Sequence, residues 1–113
     1  MEPGTLVLVH LVNPKEKYWG VLQSLGPAGV TLRGIVVELF DDWARQSRPG
    51  VEAELGVVTL FVPLHRVEKI FADVRVGSVG SYAERFYEIV GRDVREVLGI
   101  VETPAVEPSG PLN

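Results

Sequence analysis

Between Thr5 and Ala72 the chain is a succession of short runs rich in Val, Leu, Ile and Thr, each soon cut off by proline, glycine or clustered polar residues. β-branched and aliphatic runs bounded by turn residues favour extended backbone, so this stretch reads as strands. Thr5 to Val12 is the first, and Asn13-Pro14-Lys15-Glu16-Lys17 has turn chemistry. Tyr18 to Leu25 is the second strand, and Gly26-Pro27-Ala28-Gly29 is a hairpin loop leading into Val30 to Phe40, the third. Gly34 lies inside that third run and weakens it unless it permits a sharp bend, a bulge or a close backbone approach, which small closed barrels require of their long strands. Residues 41–56, with two aspartates, Trp43, two arginines, Pro49-Gly50 and two glutamates, read as a long loop carrying at most one helical turn at Asp42 to Gln46. Gly56 to Leu64 resumes strand sequence, but Pro63 has no amide to donate and should end the ladder. Val67 to Ala72 is the fifth strand, joined to the fourth through a tight 3₁₀ turn at Leu64-His65-Arg66.

The period changes from Ser78. Ser81 with Glu84 three positions later forms a capping-box signature, and Tyr82, Phe86, Ile89 and Val90 fall at helical spacing up to Gly91. Asp93 then caps a second short helical stretch, or the helix continues through Gly91, with Val94, Val97 and Leu98 apolar. Glu102 to Asn113 holds three prolines and no aromatic, so it reads as a flexible tail. The expected organisation is a mainly β unit over residues 1–75, a helical extension packed on it over 76–101, and a tail over 102–113. A length of 113 residues with 46% apolar content supports one hydrophobic core and not two.

Cysteine is absent, which removes disulfides, thiolate chemistry and Cys-based metal sites. The start, Met1 to Thr5, is acidic, and no apolar run approaches the roughly 18 residues of a membrane span, so a cytoplasmic protein without leader or membrane anchor is expected. Eleven basic residues against fifteen acidic ones give a net charge of −4, which opposes binding of a polyanion unless the cations are gathered on one face.

The order of these elements resembles that of the Sm-like family, with an SH3-like small barrel as the other architecture of this kind. Trp19 to Leu32 is similar to the first Sm motif, with Gly20, Leu22 and Leu32 in the matching places. Phe61 to Ile70 is similar to the second, with Arg66 in the turn and Ile70 four residues beyond it. The resemblance covers roughly residues 5 to 73. It implies a five-stranded, strongly bent antiparallel small barrel, here followed by a C-terminal α-helix. It also implies rings formed when the fourth strand of one subunit meets the fifth of the next. The family's RNA pocket does not carry over with it. The Asp position holds Gly26, the Asn position Val30 and the Gly after Arg66 is Val67, leaving only Arg66 of the RNA-contacting set. Such a pocket would lack both a ring to stack on and a polar group to read a base edge.

Enzymatic signals are weak. His10 alternates with Leu6, Leu8 and Val12 on a strand and reads as a structural histidine, as does His65 in its turn. Asp41-Asp42 lacks the further oxygens and the turn glycine of a hard-cation loop and reads as a loop or helix start. Gly77, Gly80 and Gly91 match no phosphate-loop spacing, and the serines lack a nucleophile-elbow context. No cofactor or metal is expected. Contact with a ligand or nucleic acid falls to Arg66, His65, Arg33 and Lys17. Tyr18, Trp19, Trp43 and Phe61 are candidate interface aromatics. Tyr18 and Trp19 are adjacent on a strand and so point to opposite faces, one of them leaving the inner core to cover a helix, a partner or a ligand. Packing beneath the long loop or helix is the other reading for these rings. The expected function is a non-enzymatic, homo-oligomerising protein-interaction or scaffold module whose partner is itself or another protein. The alternative is an RNA- or DNA-binding protein of the Sm or Hfq type with a non-standard surface.

Overall fold

The computed structural model describes residues 1–100; the tail expected at 102–113 lies outside them. Five strands, β1 (Leu6–Leu11), β2 (Glu16–Gly26), β3 (Gly29–Val36), β4 (Val58–Pro63) and β5 (Val67–Ala72), form one antiparallel sheet in the order β4-β3-β2-β1-β5. Helices α1 (Phe40–Gln46), α2 (Tyr82–Val90) and α3 (Val94–Leu98) complete the fold.

The two outermost strands are consecutive in the chain, joined only by a 3₁₀ turn at Leu64–Arg66. In a flat sheet, four strand spacings would hold β4 and β5 about 19 Å apart, whereas the four steps from Pro63 to Val67 span at most about 14 Å. The sheet therefore curls until its edges approach each other at the turn. Among the described residues β4 pairs only with β3 and β5 only with β1, so the curled sheet is not closed.

The two glycines at the centre of the β2–β3 ladder permit that curl. Gly20 is paired directly with Gly34, and a Cβ on Gly20 would lie 2.5 Å from the Gly34 Cα, with one on Gly34 2.8 Å from the Gly20 Cα. Backbones this close leave no room for any side chain, so the bend expected at Gly34 is made by a glycine pair.

Curling gives the sheet two unlike faces. On the inner face Val7, Val9, Leu11, Leu22, Val30, Leu32 and Val62 form one cluster, which the edge residues Val67 and Ile70 join. On the outer face Leu6, Trp19, Val21 and Ile35 pack against Phe40, Trp43 and Ala44 of α1, Phe86 of α2, and Val94 and Leu98 of α3. Because both sides of β1 are largely covered, its sequence is apolar at every position but His10.

The third strand is shorter than the sequence suggests. It ends at Val36, and a 3₁₀ turn at Val37–Leu39 leads straight into α1. Phe40, Trp43 and Ala44 then have i, i+3, i+4 spacing on the buried side, with Asp41 and Asp42 in the first turn where the helix dipole favours acids. The helical signal thus begins at the end of the presumed strand, and α1 replaces the single turn expected inside the loop. Both later helices form as the caps require. Ser81 and Glu84 make a reciprocal capping box, and Gly91 ends α2 in the left-handed conformation. The Asp93 side chain accepts from the Arg95 amide at the start of α3.

Replacing Gly34 with alanine forces a Cβ into the β2 backbone, and a loss of at least about 2 kcal/mol in unfolding free energy is expected. Urea denaturation followed by tryptophan fluorescence measures it, and an unchanged midpoint would show that the sheet relaxes without cost.

Candidate interaction surface

The residues singled out from sequence divide into those consumed by the fold and those left exposed. Arg66 belongs to the first group. Its Nε donates to the Val12 carbonyl at 3.0 Å, and one terminal nitrogen donates to the Pro14 carbonyl at 2.8 Å and to Glu16 Oε1 at 3.1 Å. It pins the β1–β2 turn to the 3₁₀ turn between β4 and β5. Arg33 reaches from β3 to the Leu98 carbonyl at 2.8 Å, where the C-terminal end of α3 offers unsatisfied acceptors. The two arginines point to different partners and do not meet.

The tryptophans lie in the core. Trp19, with no exposed surface, packs at 5.0 Å from Phe40 and 5.7 Å from Trp43, and Trp43 at 5.3 Å from Phe86. Their rings therefore cover no open face; packing beneath helices is the arrangement found. Tyr18 turns to the opposite side of β2 and packs, half-buried, against the inner cluster.

A buried carboxylate that carries no local sequence motif holds this core to the helices. Asp73, 7% exposed, accepts from the Trp19 indole at 3.0 Å and from the backbone amides of Tyr82 and Ala83 at 2.8 and 3.0 Å. Those amides are among the free donors at the start of α2, where a negative charge is also favoured by the dipole. Only its lone position after an apolar strand hints at this role. Asp41 grips Arg85 through two short contacts of 2.6 and 2.5 Å, so that α1 and α2 are also tied at the surface. The Arg85 hydrogen bonds hold the Asp41 carboxyl below its ordinary range.

Lys17 and His65 are exposed. Lys17, His10 and Lys69 face one another across β2, β1 and β5 in a single row, with Glu16, Glu38 and Glu68 interleaved around it. Acids and bases alternate there, which gives no continuous cationic track for a phosphate backbone. His10 rests edge-on against Phe71 at 4.9 Å. Desolvation, then the charges of Lys17 and Lys69, lowers its pKa below the ordinary 6.5, with Glu68 opposing. Among the described residues no three His, Asp or Glu side chains gather as a metal-binding set. No helix is long and apolar enough to cross a membrane, again among the described residues.

Several of the exposed apolar side chains lie at the sheet edges. Phe61 stands 56% exposed on the outer face of β4. At the other edge an apolar groove of about 590 Å³ runs between β5 and the start of α2, lined by Leu8, Phe71, Val74, Val76, Val79 and Tyr82 among others. A two-residue turn at Gly77-Ser78 brings Val76 and Val79 into an antiparallel bridge, and these valines are 70% and 69% exposed. Two valines around Gly-Ser are a hairpin signal too short to stand out from the lead into the helix. Comparison with protein-family models, with curated proteins and with solved structures finds no match to the chain.

Two outcomes follow from these contacts. Asp73→Ala leaves a buried indole donor and two helix amides unpaired, and a loss of roughly 2–4 kcal/mol is expected in chemical denaturation. Because the His10 pKa is lower in the folded chain, the unfolded chain takes up protons first as pH falls below about 6.5. Stability should decline through that window and level off below the folded pKa, and His10→Gln should flatten the decline; a slope retained in the variant would assign it elsewhere.

Proposed function

We propose that this chain is a non-enzymatic, cytoplasmic, homo-oligomerising interaction or scaffold module built on an open Sm-like barrel. One observation carries the reading: among the described residues, β4 and β5 are both unpaired along their outer edges, at opposite ends of the same curled sheet. An exposed edge presents a row of backbone donors and acceptors that a further strand can satisfy. Neither edge is blunted by a run of charge, since β4 has no charged residue and β5 carries one acid and one base, Glu68 and Lys69. The fourth strand of one copy and the fifth of another are also the strands that join subunits in Sm-like rings, and the three-residue turn and strand order suit that architecture. The helices cover the outer face over β1, β2 and β3, the three central strands.

Nucleic-acid binding has less support. Arg66 and Arg33 direct donors to carbonyls of the chain itself, and Lys15, Lys17 and Lys69 are interleaved with glutamates. Light scattering on the purified chain should give a multiple of the monomer mass, and the ratio of absorbance at 260 and 280 nm should stay that of protein before and after a high-salt wash. Salt-removable nucleic acid, or a monomer at every concentration to about 1 mM, would sink this reading.

A further inference from the structure

Edge pairing alone leaves the contact between copies unspecified, but the faces of the two edge strands are fixed by their own cores. On β4, Val62 enters the inner cluster, so Phe61 must point outward. On β5, Ile70 joins the inner cluster and its neighbour Phe71, paired with Leu8, points outward. A strand added to a sheet continues both faces, because a slip of one residue would invert them. When β4 of one copy extends β5 of another, Phe61 therefore arrives on the side where the apolar groove opens. Resting on the homo-oligomer reading above, we infer that Phe61 of one copy seats in the groove formed by Leu8, Phe71, Val74, Val76 and Val79 of the next.

Size, area and charge agree with a second copy as the occupant. A cavity of about 150 Å³ accommodates a benzene ring, and the groove offers about 590 Å³, ample for a phenylalanine side chain together with the flank of its strand. Phe61, Phe71, Val74, Val76 and Val79 are each between 41% and 70% exposed. Together they present roughly 500 Å² of surface, mostly apolar, about half of the non-polar part of a standard interface of about 1,600 Å². Despite the net charge of −4, the seam sets an uncharged β4 against a β5 whose Glu68 and Lys69 balance. No like charges are brought together there. The Pro63 position, without an amide hydrogen, limits the ladder at the end of β4 and so helps to fix its register.

Knob and groove are different surfaces, so the contact is head-to-tail and each copy carries one of each. That asymmetry supplies the test. Phe61→Glu destroys the knob and keeps the groove; Val76→Glu destroys the groove and keeps the knob. Both positions are exposed, so the variants should fold, which circular dichroism and thermal melting check. Each variant alone should be monomeric, with self-association weakened by at least about 30-fold in sedimentation equilibrium. An equimolar mixture should form a one-to-one dimer through the single intact pair, and should form nothing larger.

If the wild type oligomerises and either variant keeps the wild-type mass, the assignment of Phe61 to the groove is wrong while the scaffold reading stands. The assignment fails in the same way if both variants are monomeric but do not pair when mixed. A wild type that remains monomeric to about 1 mM overturns both, and leaves the groove to another occupant.

Discussion

Asp73 joins two structures that would otherwise only touch. The sheet reaches it through the Trp19 indole, and α2 reaches it through the Tyr82 and Ala83 amides, so one carboxylate sets where the helix begins relative to the strands. Its own amide donates to the Leu6 carbonyl at 2.8 Å, which carries β5 into register with β1 to its last residue. With that origin fixed, the capping box at Ser81 sets the direction of α2, Phe86 falls on Trp43, and Arg85 meets Asp41. A buried charge is tolerated because every contact it makes is with a donor, two of them at a helix N-terminus. The floor of the apolar groove is a by-product of the same arrangement, since Tyr82 begins α2 beside β5.

The glycine pair at Gly20 and Gly34 acts on the other half of the molecule. Its absent side chains let β2 and β3 close on one another at the inner face, and the sheet bends there. Bending brings the two edge strands near enough for a three-residue turn to connect them, and it gathers side chains from every strand into one inner cluster. The outer face is thereby spread, and large rings fill it: Trp19, Phe40, Trp43 and Phe86 occupy the space between a convex sheet and three short helices.

Local chemistry is legible in the sequence and long-range chemistry is not. The turn at Leu64–Arg66, the ladder's end at Pro63, the capping box at Ser81, the stop at Gly91 and the cap at Asp93 each depend on a few neighbouring residues, and all are visible there. Arg66 and Arg33 look free in the sequence because their acceptors, Val12 and Leu98, are 54 and 65 residues away. Asp73 is inconspicuous for the same reason: its link to Trp19 spans 54 residues. The ambiguity at Phe40 is different in kind. An apolar run satisfies both strand and helix periods, and only the placement of Phe40, Trp43 and Ala44 under the sheet decides for the helix.

The curl of the sheet has a consequence beyond the single chain. Its two free edges are held at a set inclination by the backbone, like the cut faces of a wedge. In any assembly made by joining one edge to the other, that inclination is the turn added per copy, and a full circle divided by it is the copy number. The distance of closest approach at two glycines would then act as a protractor for the whole assembly.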